Sequence, residues 1–142
     1  MDLFIEIIPD SYELDKNNFS HCLSKITING VCDINVMILN SWTEEDYLRQ
    51  WKDGLERIKA QNTSCLVASV VPATKKRPLI FWWILYKENN QIIIKNCLII
   101  YNNYKKLVGN RVFSPETCYD FITPKDSHIT QACKISESII NL

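Results

Sequence analysis

Glycine is scarce in this sequence: three residues in 142, at positions 30, 54 and 109, never clustered. A loop that cradles phosphate needs several glycines so that backbone N–H groups can close on the anion. P-loop and dinucleotide-binding motifs are therefore excluded. Histidine is just as rare, with only His21 and His128, and no nucleophile-elbow or triad motif accompanies either. The six cysteines, at 22, 32, 65, 97, 118 and 133, are never closer than ten positions, which rules out the C-x-x-C spacing of zinc and redox sites. Long hydrophobic runs are missing too. The longest, Leu79–Tyr86, is bounded by Pro78 and Lys87, less than half of the roughly 20 residues a bilayer helix needs. Asp2, Glu6 and Pro9 stand where an export signal carries basic and then apolar residues, so no such signal is expected. These absences predict a cytoplasmic protein with reduced thiols and no metal, cofactor or membrane segment. Most cysteines lie within apolar runs, where they act as small hydrophobes.

What is present suffices for a core. Hydrophobic residues make up 46% and charged residues 23% of the chain, which predicts one domain over residues 1–142 and excludes disorder. Sixteen basic residues balance sixteen acidic ones, and a formal charge of zero argues against a basic nucleic-acid binder. The balance is uneven along the chain. Residues 1–56 carry a net −7 and residues 57–142 a net +7. Within the first half, residues 1–40 hold Asp2, Glu6, Asp10, Glu13, Asp15 and Asp33 against Lys16 and Lys25. This segment holds the least compensated negative charge.

Periodicity and turn signals order the elements. Leu3–Ile8 is an apolar N-terminal piece, and residues 9–18 are polar and loop-like. Strands are expected over about 20–28 and 31–39, joined at Asn29-Gly30, because both residues accept the positive φ of a type I′ turn. The spacing of Tyr47, Leu48, Trp51, Leu55 and Ile58 predicts a helix over 44–61 with one apolar stripe. Thr43 and Asp46 sit at the capping-box spacing that would start it. Glu45, Asp46, Arg49, Asp53 and Glu56 then fall on the wet face. Ion pairs are expected there for Glu45 with Arg49, Asp46 with Arg49 and Asp53 with Arg57. Three strands follow, at about 64–72, 79–87 and 91–102. The middle one is apolar at both alternating phases, so it should be central with both faces covered. Ser114-Pro115-Glu116 predicts a short helix over 115–122, a last strand is expected near 128–135, and a closing helical turn over 136–141. The fold class is α+β: a largely antiparallel sheet packed with one long and one short helix.

Candidate chemistry is sparse. A spatial Cys–His pair, such as Cys118 with His128, would supply a nucleophile and base, and the fold would have to assemble it without any local motif. Lys75, Lys76 and Arg77 before an aromatic strand, with Tyr101, Tyr104, Lys105, Lys106 and Arg111, form the pattern of a single-strand nucleic-acid module, in which aromatics stack bases and cations hold phosphates. The plainer alternative is a solvated basic turn beside core aromatics. Acids in the first turn of the 44–61 helix already have a role against its dipole.

Ser41-Trp42-Thr43 before a helix with Asp46-Tyr47 and Trp51, then Leu66-Val67-Ala68-Ser69-Val70, Ile80-Phe81-Trp82-Trp83-Ile84-Leu85-Tyr86, Ile92-Ile93-Ile94-Lys95-Asn96, Phe113-Ser114-Pro115-Glu116 and Lys134-Ile135-Ser136-Glu137 form a familiar order. It resembles the CdiI immunity proteins of bacterial contact-dependent growth inhibition systems, over roughly residues 20–137, with 1–19 outside the likeness. The resemblance implies a non-enzymatic protein that neutralises the C-terminal toxin domain of a cognate CdiA, commonly a nuclease, in a 1:1 complex. It hands over no binding residues, because its motifs are core and capping residues. The charge pattern supplies the candidates: Asp10, Glu13, Asp15 and Asp33 first, then Glu45, Asp53 and Glu56 on the helix face. An acidic patch suits a basic partner.

Overall fold

The hairpin signals set the frame of the fold. In the computed structural model, which describes residues 2–14, 20–71, 79–99, 111–125 and 133–142, Asn29 (φ 51°) and Gly30 (φ 80°) both take positive φ. The turn joins β3 (Ser20–Ile28) to β4 (Val31–Leu39) in register, Ile28 opposite Val31 and Ser20 opposite Leu39. β1 (Leu3–Ile7) and the two-residue β2 (Glu13–Leu14) pair antiparallel with β3, end to end along its other edge. A short strand thus interrupts the stretch expected to be loop, and residues 15–18 of that stretch lie outside the described residues.

A second antiparallel sheet has the order β5 (Thr63–Val71), β6 (Leu79–Glu88), β7 (Gln91–Ile99), β8 (Cys133–Asn141). Asn89 (φ 49°) and Asn90 (φ 60°) turn β6 into β7 by the same two-residue solution. β6 is central, as expected, and Trp82, Trp83, Ile84, Leu85 and Tyr86 are all buried. The strands therefore divide into two four-stranded sheets, an α+β fold. The expected closing turn over 136–141 is corrected: that segment is strand and pairs with β7 through Ile140 opposite Ile92 and Glu137 opposite Lys95. The free edge of β7 rewards one more strand, and Ser138-Ile139-Ile140 has the β-branched character to supply it. The earlier half of the expected strand, 128–132, lies outside the described residues, as do 72, 100–102 and the basic stretches around Lys75 and Lys105.

The helix α1 runs from Glu44 to Ala60, and Thr43 and Asp46 form the expected capping box. Its buried stripe is Tyr47, Gln50, Trp51, Gly54 and Ile58. Leu48, expected on that stripe, is 44% exposed. The stripe runs through a polar residue and a glycine, which hydrophobic spacing does not register. Both serve β5, the edge strand beside the helix. Gln50 donates from Nε2 to the Cys65 carbonyl and accepts from the Val67 N–H, each at 2.8 Å, as a neighbouring strand would. Trp51 donates to the Val67 carbonyl at 2.7 Å, and the Tyr47 hydroxyl accepts from the Val70 N–H at 2.8 Å. Side chains of α1 thus satisfy an edge that otherwise invites another chain. Gly54 allows the approach, since a Cβ there would lie 2.3 Å from the Cys65 carbonyl oxygen.

Tyr47 also donates to the Ile38 carbonyl at 2.8 Å, and the Ile38 N–H reaches Ser69 Oγ at 3.2 Å. These bonds fasten the first sheet to the second. Trp42, Phe113 and Phe121 stack beside them, with Trp82 edge-on to Phe113. The expected helix over 115–122 is instead a turn at 115–117 and a single 3-10 turn, Cys118–Phe121. The Ser114 hydroxyl accepts from Thr117 N–H as predicted of a cap, but burial of Cys118 and Phe121 against β5 and the aromatic cluster leaves no face for a longer helix. Among the described residues no helix is long and apolar enough to cross a membrane.

Candidate functional site

The acidic residues of the sequence fall into three places. The first is a brow made by the N-terminal segment and the start of α1. Asp10 holds a positive φ of 59° in an exposed turn. Ser11 pins that turn to β3, its hydroxyl donating to the Ile8 carbonyl at 2.6 Å and accepting from the Leu23 N–H at 2.9 Å. Tyr12 then comes within the influence of Glu44 at the start of α1. The Glu44 carboxylate, helped by the charge of Glu45, holds the Tyr12 hydroxyl's pKa up at about 12, since ionising it would set two anions together. Glu13 follows Tyr12, with its carboxylate 3.7 Å from His21 Nε2. Asp10 and Glu13 thus flank Tyr12 in sequence, and Tyr12 feels the charges of Glu44 and Glu45 at the start of α1. Asp15 lies outside the described residues.

The second place is the middle of α1. Asp53 and Glu56 stand about 12 and 16 Å along the helix from Glu45, at about 1.5 Å per residue. They line an open cleft of about 420 Å³ with Arg57, Glu116 and Tyr119. The expected pairing of Asp53 with Arg57 is corrected: Arg57 lies 4.6 Å over the Tyr119 ring and donates from Nε to the Thr63 carbonyl at 3.2 Å. Arg49 bonds Asp46 at 3.1 Å as expected, but its second partner is Glu116 at 2.8 Å rather than Glu45. Glu116 comes from the segment before the 3-10 turn, and no local spacing announces it. Burial, with Cys118, Cys65 and Asp53 nearby, pushes the Tyr119 hydroxyl up, so it stays a neutral donor to the Gln50 carbonyl.

Asp33 is the third place and stands apart. It pairs in register with Ile26, five residues along β3 from His21, the partner of Glu13, a separation of about 16 Å at roughly 3.3 Å per residue. Four acids expected to act as one segment do not form one patch.

The competing chemistry finds little support. Trp82, Trp83 and Tyr86 are buried, so these three rings belong to the core. Lys75, Lys76, Arg77, Lys105 and Lys106 lie outside the described residues. Cys118 is fully buried with its sulfur 3.6 Å from Cys65 Sγ, and His128 is not among the described residues. Burial and the neighbouring Cys118 push the Cys65 thiol well up, the opposite of nucleophile activation. Among the described residues no three His, Cys, Asp or Glu side chains are placed to hold a metal ion.

A comparison with known families decides the placement. The CdiI N-terminal domain family matches residues 37–142, three-quarters of the chain. The chain belongs to the CdiI family. The match begins at Met37, inside β4, and leaves β1 to β3 outside. The chain is 29% identical over 114 residues to the immunity protein CdiI of Enterobacter cloacae subsp. cloacae, covering 80% of this chain and 74% of that protein. In fold it is similar to a chain of the CdiA-CT/CdiI toxin and immunity complex from Enterobacter cloacae, with a TM-score of 0.71, 24% identity, and coverage of 98% of this chain and 90% of that one. With 98% of this chain covered, the likeness in fold takes in β1 to β3, which the family match does not reach. CdiI immunity proteins are toxin inhibitors, not enzymes.

Proposed function

We propose that this CdiI-family chain is the immunity partner of a CdiA C-terminal toxin domain, that it binds that domain directly in a 1:1 complex in the cytoplasm, and that the toxin is a nuclease. Membership of the CdiI family carries this reading. The acidic brow supports the nuclease assignment, because an enzyme that works on a polyanion presents a basic groove and an acidic surface complements it. Asp10, Glu13, Glu44 and Glu45 form the leading contact group, with Asp15 beside them in sequence. Asp53, Glu56 and Glu116 form the second. Charges at such a rim act mainly on association rate and partner choice.

The test is co-expression. A candidate cognate CdiA C-terminal domain is induced in cells with and without the chain, and RNA and DNA are run from both. Survival with intact nucleic acid in the presence of the chain, against growth arrest with cleaved RNA or DNA in its absence, is the expected result. Arrest with intact nucleic acid overturns the nuclease assignment. Arrest in both strains overturns the immunity reading.

A further inference from the structure

Among the described residues the outer edge of β4 is open from Cys32 to Val36, and backbone geometry shows which of its groups face outward. Leu23 on β3 spends its N–H on Ser11 Oγ at 2.9 Å and its carbonyl on the Ile8 N–H at 2.8 Å, both away from β4. Its register partner Val36 therefore sits in a non-hydrogen-bonded pair and turns its own N–H and C=O to the outer edge. The two-residue period carries that orientation to Ile34 and Cys32 on one side and Ile38 on the other. Ile38 shows it directly, since its N–H and C=O are taken by Ser69 and Tyr47. Beyond Ile38 the edges of β4 and β5 part. They leave a groove of about 310 Å³ lined by Ile34, Val36, Ile38, Ala68, Val71 and Phe81.

Among the described residues no strand pairs with this edge. Ile34 and Val36 are 62% and 53% exposed, and Val31–Leu39 contains no lysine, arginine or proline. Proteins that stay monomeric guard long edges with those residues or cover them, as α1 covers β5 here. The stretch Cys32–Val36, with outward groups that bond no described strand, can receive another strand.

Charge decides between occupants. The strands of this sheet carry Glu6, Glu13 and Asp33 against Lys25, and Asp33 forms no ion pair with any described residue. A second copy would set one acidic sheet against another. A strand with a basic residue opposite Asp33 gains an attractive cross-strand pair. We propose that the toxin domain presents an extended segment, apolar with a lysine or arginine at one end, that adds to β4 over Cys32–Val36 and lays its side chains in the groove. This inference rests on the proposed toxin partnership and specifies how the partner is held.

The experiment uses the full chain and its cognate CdiA C-terminal domain. Amide hydrogen exchange at Ile34 and Val36, fast in the free chain, slows in the complex. Ile34→Pro removes only an outward N–H, which an edge strand tolerates, and lowers affinity about 10- to 100-fold. Fast exchange in a complex that forms, with Ile34→Pro binding as well as the unaltered chain, overturns strand addition and leaves the partnership standing. If the unaltered chain does not bind the domain, both readings fall together. Slow exchange already in the free chain, with the mass of a dimer, assigns the edge to a second copy and overturns the proposal.

Discussion

Gln50 is the residue on which the docking of α1 depends, and exchanging one atom of its side chain tests that. In Gln50→Glu the shape is kept, but the Nε2 donor that meets the Cys65 carbonyl at 2.8 Å becomes an oxygen facing an oxygen. The Val67 N–H keeps its acceptor, while the weaker Nε2 bond to the Tyr119 hydroxyl, at 3.3 Å, is lost together with the one to Cys65. The site is fully buried, and desolvation of a carboxylate there raises its pKa by about 2–3 units above the usual value near 4.3. At about 1.36 kcal/mol per unit, the ionised form costs about 3–4 kcal/mol relative to the protonated one. The protonated acid can again donate to Cys65. The folded pKa lies above the unfolded one, so the extra penalty is absent below about pH 4 and grows to its full value by about pH 7. Urea unfolding of both proteins at intervals from pH 4 to pH 8 reads the difference. A destabilisation that is the same at every pH, or below about 1 kcal/mol at pH 7, refutes the view that this amide completes the edge of β5.

Gly54→Ala replaces a poor helix former with the best one, a gain of about 1 kcal/mol in an exposed helix. Here the new Cβ would sit 2.3 Å from the Cys65 carbonyl oxygen, and the helix must move off the strand. A net loss of about 2–3 kcal/mol in denaturant unfolding is expected. Glu44→Gln removes the anion that holds the Tyr12 hydroxyl near pKa 12, so absorbance titration should find Tyr12 back toward about 10. In the unaltered chain the raised folded value means that this arrangement supports the fold up to about pH 10 and is lost as pH rises toward 12. Charge reversal at Glu13 and Asp15 together should slow association with the toxin domain about tenfold at low salt and less at high salt, read by stopped-flow mixing.

The elements that could be read from the sequence are those whose cause is local. Asn29-Gly30 and the Thr43–Asp46 box each act within four residues, and both stand where their chemistry puts them. The all-apolar β6 announced its central place because only a strand covered on both faces tolerates Trp82-Trp83-Ile84 in a row. What escaped has causes distant in sequence. The inward stripe of α1 includes Gln50 and Gly54 because β5 needs an edge partner and a close approach, and neither need is visible in hydrophobic spacing. The segment 136–141 is strand because β7 has a free edge, a fact about another element. The candidate site divides the same way. Individual acids were identifiable, but their grouping required Tyr12 to come near Glu44, and Glu116 to meet Arg49 from 67 positions away.

If this chain inhibits a CdiA toxin by holding it, isothermal titration of the full chain with its cognate CdiA C-terminal domain reads the complex itself. One saturable site per chain with nanomolar affinity, weakening as salt rises, is the predicted result. Saturation at any other ratio, or no heat of binding at micromolar concentrations of both proteins, contradicts it.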